Sequence, residues 1–202
     1  MGIFIAFVPW ILFGTISQHD SIAAAGLVSL AAAIVIGLPS FAARRPKILD
    51  LGAIAVFALL TVAGLALGAD ADWLEQYAQA ISSALLAAIA LGSLLWVPFT
   101  EQYARESVPE EHWSSPVFKR VNRELTLMWG LVFVALVPCQ AIAGAIGTGR
   151  GHTLFTWAIP IALIVWAVKR TARVSDAAGG DAPAAAERST SIPVDADRRS
   201  FA

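Results

Sequence analysis

Residues 22–67 read IAAAGLVSLAAAIVIGLPSFAARRPKILDLGAIAVFALLTVAGLAL. Two apolar runs, Ile22–Phe41 and Ile48–Leu67, flank a turn that holds Arg44, Arg45 and Lys47. A bilayer core about 30 Å thick takes roughly 20 mostly apolar residues in a helix. Each run has that length. The stretch predicts a membrane hairpin of two helices joined by a basic turn.

The same reading extends outward from this hairpin. Ile3–Ser17 precedes it, and Ala78–Phe99, Leu125–Ile146 and Thr153–Val168 follow. The first run is short and contains Pro9, which kinks a helix, so it either crosses the bilayer or dips into it. The last is short too, but rich in Ile, Leu and Trp. The expected fold class is all-α: a polytopic membrane helical bundle over residues 1–170, with six transmembrane helices, or five without the first. The N-terminal run has no basic stretch before it and no small-x-small site after it, so it reads as a retained segment rather than a cleaved signal.

Composition supports this reading. The chain is 57% hydrophobic and 14% charged, against about 25% charged in soluble domains. A net charge of −1 argues against a nucleic-acid binder, which is normally basic. Cys139 is the single cysteine, so it forms no intrachain disulfide and reads as a small packing residue. The seven tryptophans suit a protein with interfacial rings.

Charge sets the sidedness. With six alternating spans, 13 of the 14 basic residues fall on one side, and only Arg150 falls on the other. The positive-inside rule makes that side cytoplasmic, which puts both termini inside. The opposite turns carry Asp20, Asp70, Asp72 and Glu75. A five-span arrangement keeps this sidedness and moves only the N-terminus outside.

The largest connection is the cytoplasmic loop 100–124. Within it Ser115-Pro116 reads as a helix start, serine capping and proline at the first helical position. Val117, Phe118, Val121 and Leu125 then recur at helical spacing, predicting an amphipathic helix on the inner surface that runs into the fifth span. Residues 171–202 are rich in Ala, Gly, Asp, Pro, Ser and Arg. They cannot bury a core and are expected to be disordered.

Small residues at every fourth position suggest close helix packing. They are Ser21, Ala25, Ser29, Ala33 and Gly37 in the second span, Ala80, Ala84, Ala88 and Gly92 in the fourth, and Ala135, Cys139, Ala143 and Gly147 in the fifth. Gly64 and Gly68 form a GxxxG pair in the third. Such faces serve packing within the bundle or self-association.

The apolar spans hold almost no ionisable side chains, which counts against a pump or active transporter. Gln140, beside Pro138 and Cys139, is the most polar deep position. A proline there frees a backbone carbonyl that a neighbour must satisfy. His19, His112 and His152 are far apart and have no metal-ligand spacing. Glu101, Glu106, Glu110, Glu111 and Glu124 read as solvated surface charge. Acid–base chemistry would require one of them to be buried with a raised pKa. No catalytic, metal or cofactor motif is present in the sequence. The residues most suited to lipid or partner contact are Trp113, at headgroup level, Asn122, Arg123 and Trp129 at the inner edge of the fifth span, and Gln140.

The order of several landmarks resembles that of the bacterial intracellular septation protein A family. Phe7-Val8-Pro9 is followed by an Asp20 turn. Arg44-Arg45-Pro46-Lys47 precedes a span that ends near Gly64-Leu65. Pro98 follows the fourth span, and Pro109 and Trp113 precede Asn122, Trp129 and Phe133. The resemblance covers roughly residues 4–146. It implies a non-enzymatic protein of the bacterial inner membrane, linked to cell-envelope maintenance or septation and acting through other membrane proteins. It offers no catalytic residues. Two rival readings come from the residues themselves. One is a small transporter or channel for a neutral or lipidic solute, which needs a cavity at mid-depth. The other is a headgroup enzyme, which needs Glu101, Glu106, His112 or Arg123 to converge.

Overall fold

A computed structural model describes residues 2–68, 72–147 and 149–190, with side chains up to residue 177. Among the described residues there are helices and turns and no strand. The helices are α1 (Gly2–Ile5), α2 (Val8–Ile16), α3 (Ile22–Ala42), α4 (Ile48–Leu67), α5 (Asp72–Gly92), α6 (Phe99–Ala104), α7 (Pro116–Ile146), α8 (Arg150–Thr153) and α9 (Ile159–Thr190). Five helical segments are long and apolar enough to cross a bilayer: Ile22–Ala42, Ile48–Leu67, Asp72–Leu95, Pro116–Ile146 and Arg150–Ala177. The chain is an all-α, multi-pass membrane bundle.

The first expected span forms the shorter apolar helix Ile3–Ile16. At about 1.5 Å per residue it falls short of a bilayer core about 30 Å thick. It is short but not superficial. Pro9, Trp10 and Phe13 are buried, and the Trp10 and Phe13 rings lie 4.8 and 5.4 Å from that of Phe57 on α4. Proline stands in the first turn of α2, where its missing N–H breaks no helical bond, so it starts a helix rather than kinking one.

Close contacts between helices follow the small residues in one place and depart from them in another. On α3 the stripe Ala25, Ser29, Ala33 and Gly37 is buried. A Cβ on Gly26 would lie 2.6 Å from the Thr61 hydroxyl, and one on Gly64 would lie 2.8 Å from the Ala23 amide nitrogen. The α3–α4 hairpin is built on these approaches. On α5, in contrast, Ala84 and Ala88 face outward, while Ala80 is buried together with Leu74, Ala78, Ser82, Ser83, Leu86, Ala87 and Ala90. The expected stripe therefore follows the packing face at Ala80 and leaves it at Ala84 and Ala88. α5 meets α7 instead through Gly130, against the Leu91 side chain, and Gly144, against the Gln76 carbonyl. On α7 Ala143 is buried, Ala135 and Cys139 are half-buried and Gly147 is exposed. Leu27, Val35, Leu59, Leu65, Ile161 and Trp166 are exposed, an apolar outer surface that suits lipid rather than water.

The turns rich in Lys and Arg come together at one end, called the basic end below. Lys47 pairs with Glu106 at 2.5 Å, the Ile48 amide donates to Gln102 Oε1 at 2.8 Å, and Trp129 Nε1 donates to Thr171 at 3.0 Å. The helix expected to start at Pro116 does so, but α7 runs unbroken to Ile146. Its amphipathic first turns therefore continue the axis of the span and do not turn to lie along a surface. Near the opposite end α8 passes into a single wide turn at Leu154–Ala158. Pro160 has no N–H to give to the Thr156 carbonyl, and such a gap favours a π-type turn. α9 continues to Thr190, so residues 171–190, expected in a disordered tail, are helical, in keeping with the helix propensity of alanine. Residues 191–202 lie outside the described residues.

Candidate functional site

Two cavities open between these helices. The first is a groove of about 410 Å³ at mid-depth. Phe7, Trp10 and Gly14 form one wall, and Pro160, Ile161 and Ile164 of α9 form the other. α5 and α7 supply the floor through Ser82, Ser83, Leu86, Trp129, Phe133, Leu136 and Gln140. Phe7 stacks on Trp129 at 5.6 Å between ring centroids, and Phe133 closes the cluster at 5.5 Å from Phe7. The floor is buried apart from half-buried Gln140, whereas the rim residues Phe4, Ile11, Ile161 and Val165 are exposed.

The polar groups of the groove are few and incompletely satisfied. Gln79 Nε2 donates to the Gly14 carbonyl, which also accepts from Gln18 at 2.6 Å. Thr156 Oγ1 lies 3.4 Å from His152 Nε2, and His152 Nδ1 lies 3.1 Å from the Ala143 carbonyl. Trp10 Nε1 and Gln140 Oε1 are buried without a hydrogen-bond partner among the described residues. A buried polar atom left unpaired costs about 1–3 kcal/mol. Trp10 and Gln140, two residues of the groove's lining, thus each carry an unpaired polar atom in otherwise greasy surroundings.

The second cavity, of about 1030 Å³, lies at the basic end between α1, α3, α4 and α6. Asp50 of α4 sits in it, 6% exposed. Tyr103 donates its hydroxyl to Asp50 Oδ1 at 3.2 Å. The Ser40 hydroxyl lies 2.9 Å from Asp50 Oδ2 and 2.8 Å from the Gly37 carbonyl, one proton shared between two acceptors. Burial, then the Asp50 charge, pushes the Tyr103 hydroxyl well above the usual phenol range, so it stays a donor. Lys47 Nζ lies 4.2 Å from the Tyr103 ring centre. Arg105 pairs with Glu101 at 2.6 Å and stacks over Trp113 at 5.1 Å.

The residues singled out in the sequence are divided among these places. Trp113 anchors the loop through Arg105 and through its own Nε1, which donates to the Val108 carbonyl at 2.9 Å. Asn122 is buried. Its side chain donates to the Phe118 carbonyl, and its backbone carbonyl accepts from Thr100. Arg123 is exposed, 3.5 Å from the Leu94 carbonyl. Trp129 is buried in the aromatic floor, and Gln140 lines the groove. The junction expected to act as one surface is thus split, with Asn122 and Trp129 inward and Arg123 outward.

Glu101 corrects the expectation of solvated acids. It is 5% exposed because α6 turns it toward the bundle and Arg105, one turn later, covers it. Glu101, Glu106, His112 and Arg123 each engage a different neighbour: Arg105, Lys47, Glu111 and the Leu94 carbonyl. Among the described residues no hydrogen bond or ion pair joins them to one another. Asp50 was not anticipated. Its signal in the sequence is an acid two residues inside an apolar run, directly after a basic turn.

No family model, curated protein or solved structure matches this chain.

Proposed function

We propose that this multi-pass membrane protein binds lipid without catalysing a reaction, holding the apolar chain of a membrane amphiphile in the groove between α2 and α9. The observation that carries this reading is the groove itself: a half-open apolar cleft at mid-depth with a buried aromatic floor. Ligand sites are concave, mostly apolar and fitted with a few polar groups, at roughly 300–1,000 Å³. The unpaired Trp10 N–H and Gln140 carbonyl supply those polar groups. The bare rim gives a chain access from the surrounding bilayer. The wide turn at Leu154–Ala158 places Thr156 and Trp157 on the same wall, and such turns recur at functional sites.

Native mass spectrometry of the protein released from lipid nanodiscs tests this. The wild type is expected to retain lipid through detergent washing. Ser83→Phe, which fills the floor, and Gln140→Leu, which removes the spare acceptor at similar volume, are expected to lose it. Equal retention by all three proteins sinks the reading.

A second reading follows from the septation-family resemblance: a role in the bacterial envelope through membrane partners. The surface available for it is the exposed rim of the basic end, where Trp96 and Arg123 project. Crosslinking in native membranes from a cysteine placed at Trp96 is expected to capture a membrane partner. Crosslinks to lipid alone count against this reading.

A further inference from the structure

We infer that the cavity at the basic end receives an organic ammonium group on the Asp50 carboxylate, with the negative part of a zwitterionic headgroup directed to Arg45 at the rim. The site is separate from the mid-depth groove. Ile5 and Ala6 line this cavity, whereas Phe4 and Phe7 line the groove, so α1 stands between the two.

Charge accounting carries the argument. Five charged residues line the cavity: Arg45, Lys47, Arg105, Asp50 and Glu106. Lys47 is neutralised by Glu106 and Arg105 by Glu101. Arg45 is exposed. Asp50 is left as the buried charge, and no described lysine, arginine or histidine side chain forms an ion pair with it. Buried charges are ordinarily paired. The Asp50 hydrogen bonds do not replace a cation. Ser40 shares its single proton with the Gly37 carbonyl, and the Tyr103 bond is long. A carboxylate offers about four acceptor positions, so room for a further donor remains.

The rest of the wall suits the same ligand. Trp96, Tyr103 and Trp113 line the cavity, and aromatic faces attract cations. Lys47 already rests over the Tyr103 ring and Arg105 over the Trp113 ring, so Trp96 offers the aromatic face for a ligand cation. With one negative group inside and one positive group outside, the wall complements a zwitterion entered ammonium-first. A lipid ethanolamine headgroup and a free amine share this chemistry.

The full-length protein is reconstituted in nanodiscs of equimolar phosphatidylethanolamine and phosphatidylglycerol, and the retained lipid is read by native mass spectrometry. Wild type is expected to be enriched in phosphatidylethanolamine, by about tenfold if the contact is a good ionic one. Asp50→Asn, close in shape but uncharged, is expected to lose the enrichment. Glu110→Gln, an exposed acid at the same end, is expected to keep it. Enrichment that withstands excess free ethanolamine assigns the site to the lipid headgroup, whereas displacement by it assigns the site to a soluble amine. Both outcomes support the inference. Equal retention of the two lipids by wild type, or unchanged enrichment in Asp50→Asn, overturns it. Should Asp50→Asn fail to fold, Arg45→Gln at the exposed rim decides: loss of the enrichment supports the inference and unchanged enrichment overturns it.

Discussion

Asp50 and Tyr103 form the polar pair on which the basic end turns. Asp50 occupies the first turn of α4, where the helix dipole favours an anion by roughly 0.3–1 kcal/mol. The effective penalty for burying an ion is several kcal/mol, so the dipole offsets only part of it. Tyr103 supplies a further share by remaining protonated. Its hydroxyl is held above the unfolded value by burial and by the Asp50 charge. The folded state therefore keeps a proton that the unfolded state loses above a pH of about 10. Stability is full below that pH and falls as pH rises above it, by about 1.4 kcal/mol per unit. In a Tyr77→Phe background, so that Tyr103 alone reports, tyrosinate absorbance is expected to rise only together with unfolding. A separate ionisation step in the folded protein contradicts the pairing. The pair was half legible in the sequence. An acid just inside an apolar run is visible, but Ser40 and Tyr103 reach it only through the fold.

At the scale of helices, bare backbone sets how closely pairs approach. A methyl on Gly64 would press on the Ala23 backbone at 2.8 Å, and relief requires α3 and α4 to part. Gly64→Ala is expected to destabilise the protein by about 1–3 kcal/mol, as overpacking does. Gly92 ends α5 in helical geometry with nothing within 4 Å of an added Cβ. Gly92→Ala is expected to be neutral or to stabilise by about 0.4–1 kcal/mol through the unfolded chain. Unfolding midpoints in detergent compare the two directly. The four-residue spacing identified the true contact face along α3, but on α5 it met that face only at Ala80. Alanine is small enough to lie on either side of a helix in lipid, so spacing alone does not say which side is covered. Larger residues decide it on α5, where Leu74 and Leu86 turn inward.

For the whole molecule, the arrangement gathers three basic segments at one end and leaves an apolar surface around the middle. The positive-inside rule then predicts that the basic end faces the cytoplasm. In a Cys139→Ala background, a cysteine at exposed Glu110 is expected to react with a membrane-impermeant maleimide only after the membrane is opened. A cysteine at exposed Gly149, at the opposite end, is expected to react in intact cells. Reversed labelling refutes the orientation. The groove also belongs to this scale, because its walls come from the two ends of the described chain and its floor from the middle.

Sequence alone determined the class, the long spans and the clustering of basic residues on one side. Hydropathy and charge are properties of single segments, and a bilayer reads them segment by segment. Tertiary structure decided the rest. It drew Ile3–Ile16 into the core through aromatic contacts with Phe57 and Trp129, turned Asn122 and Trp129 inward, and left Asp50 without a charged partner. Each outcome depends on which helix lies beside which, and no local pattern encodes the neighbour.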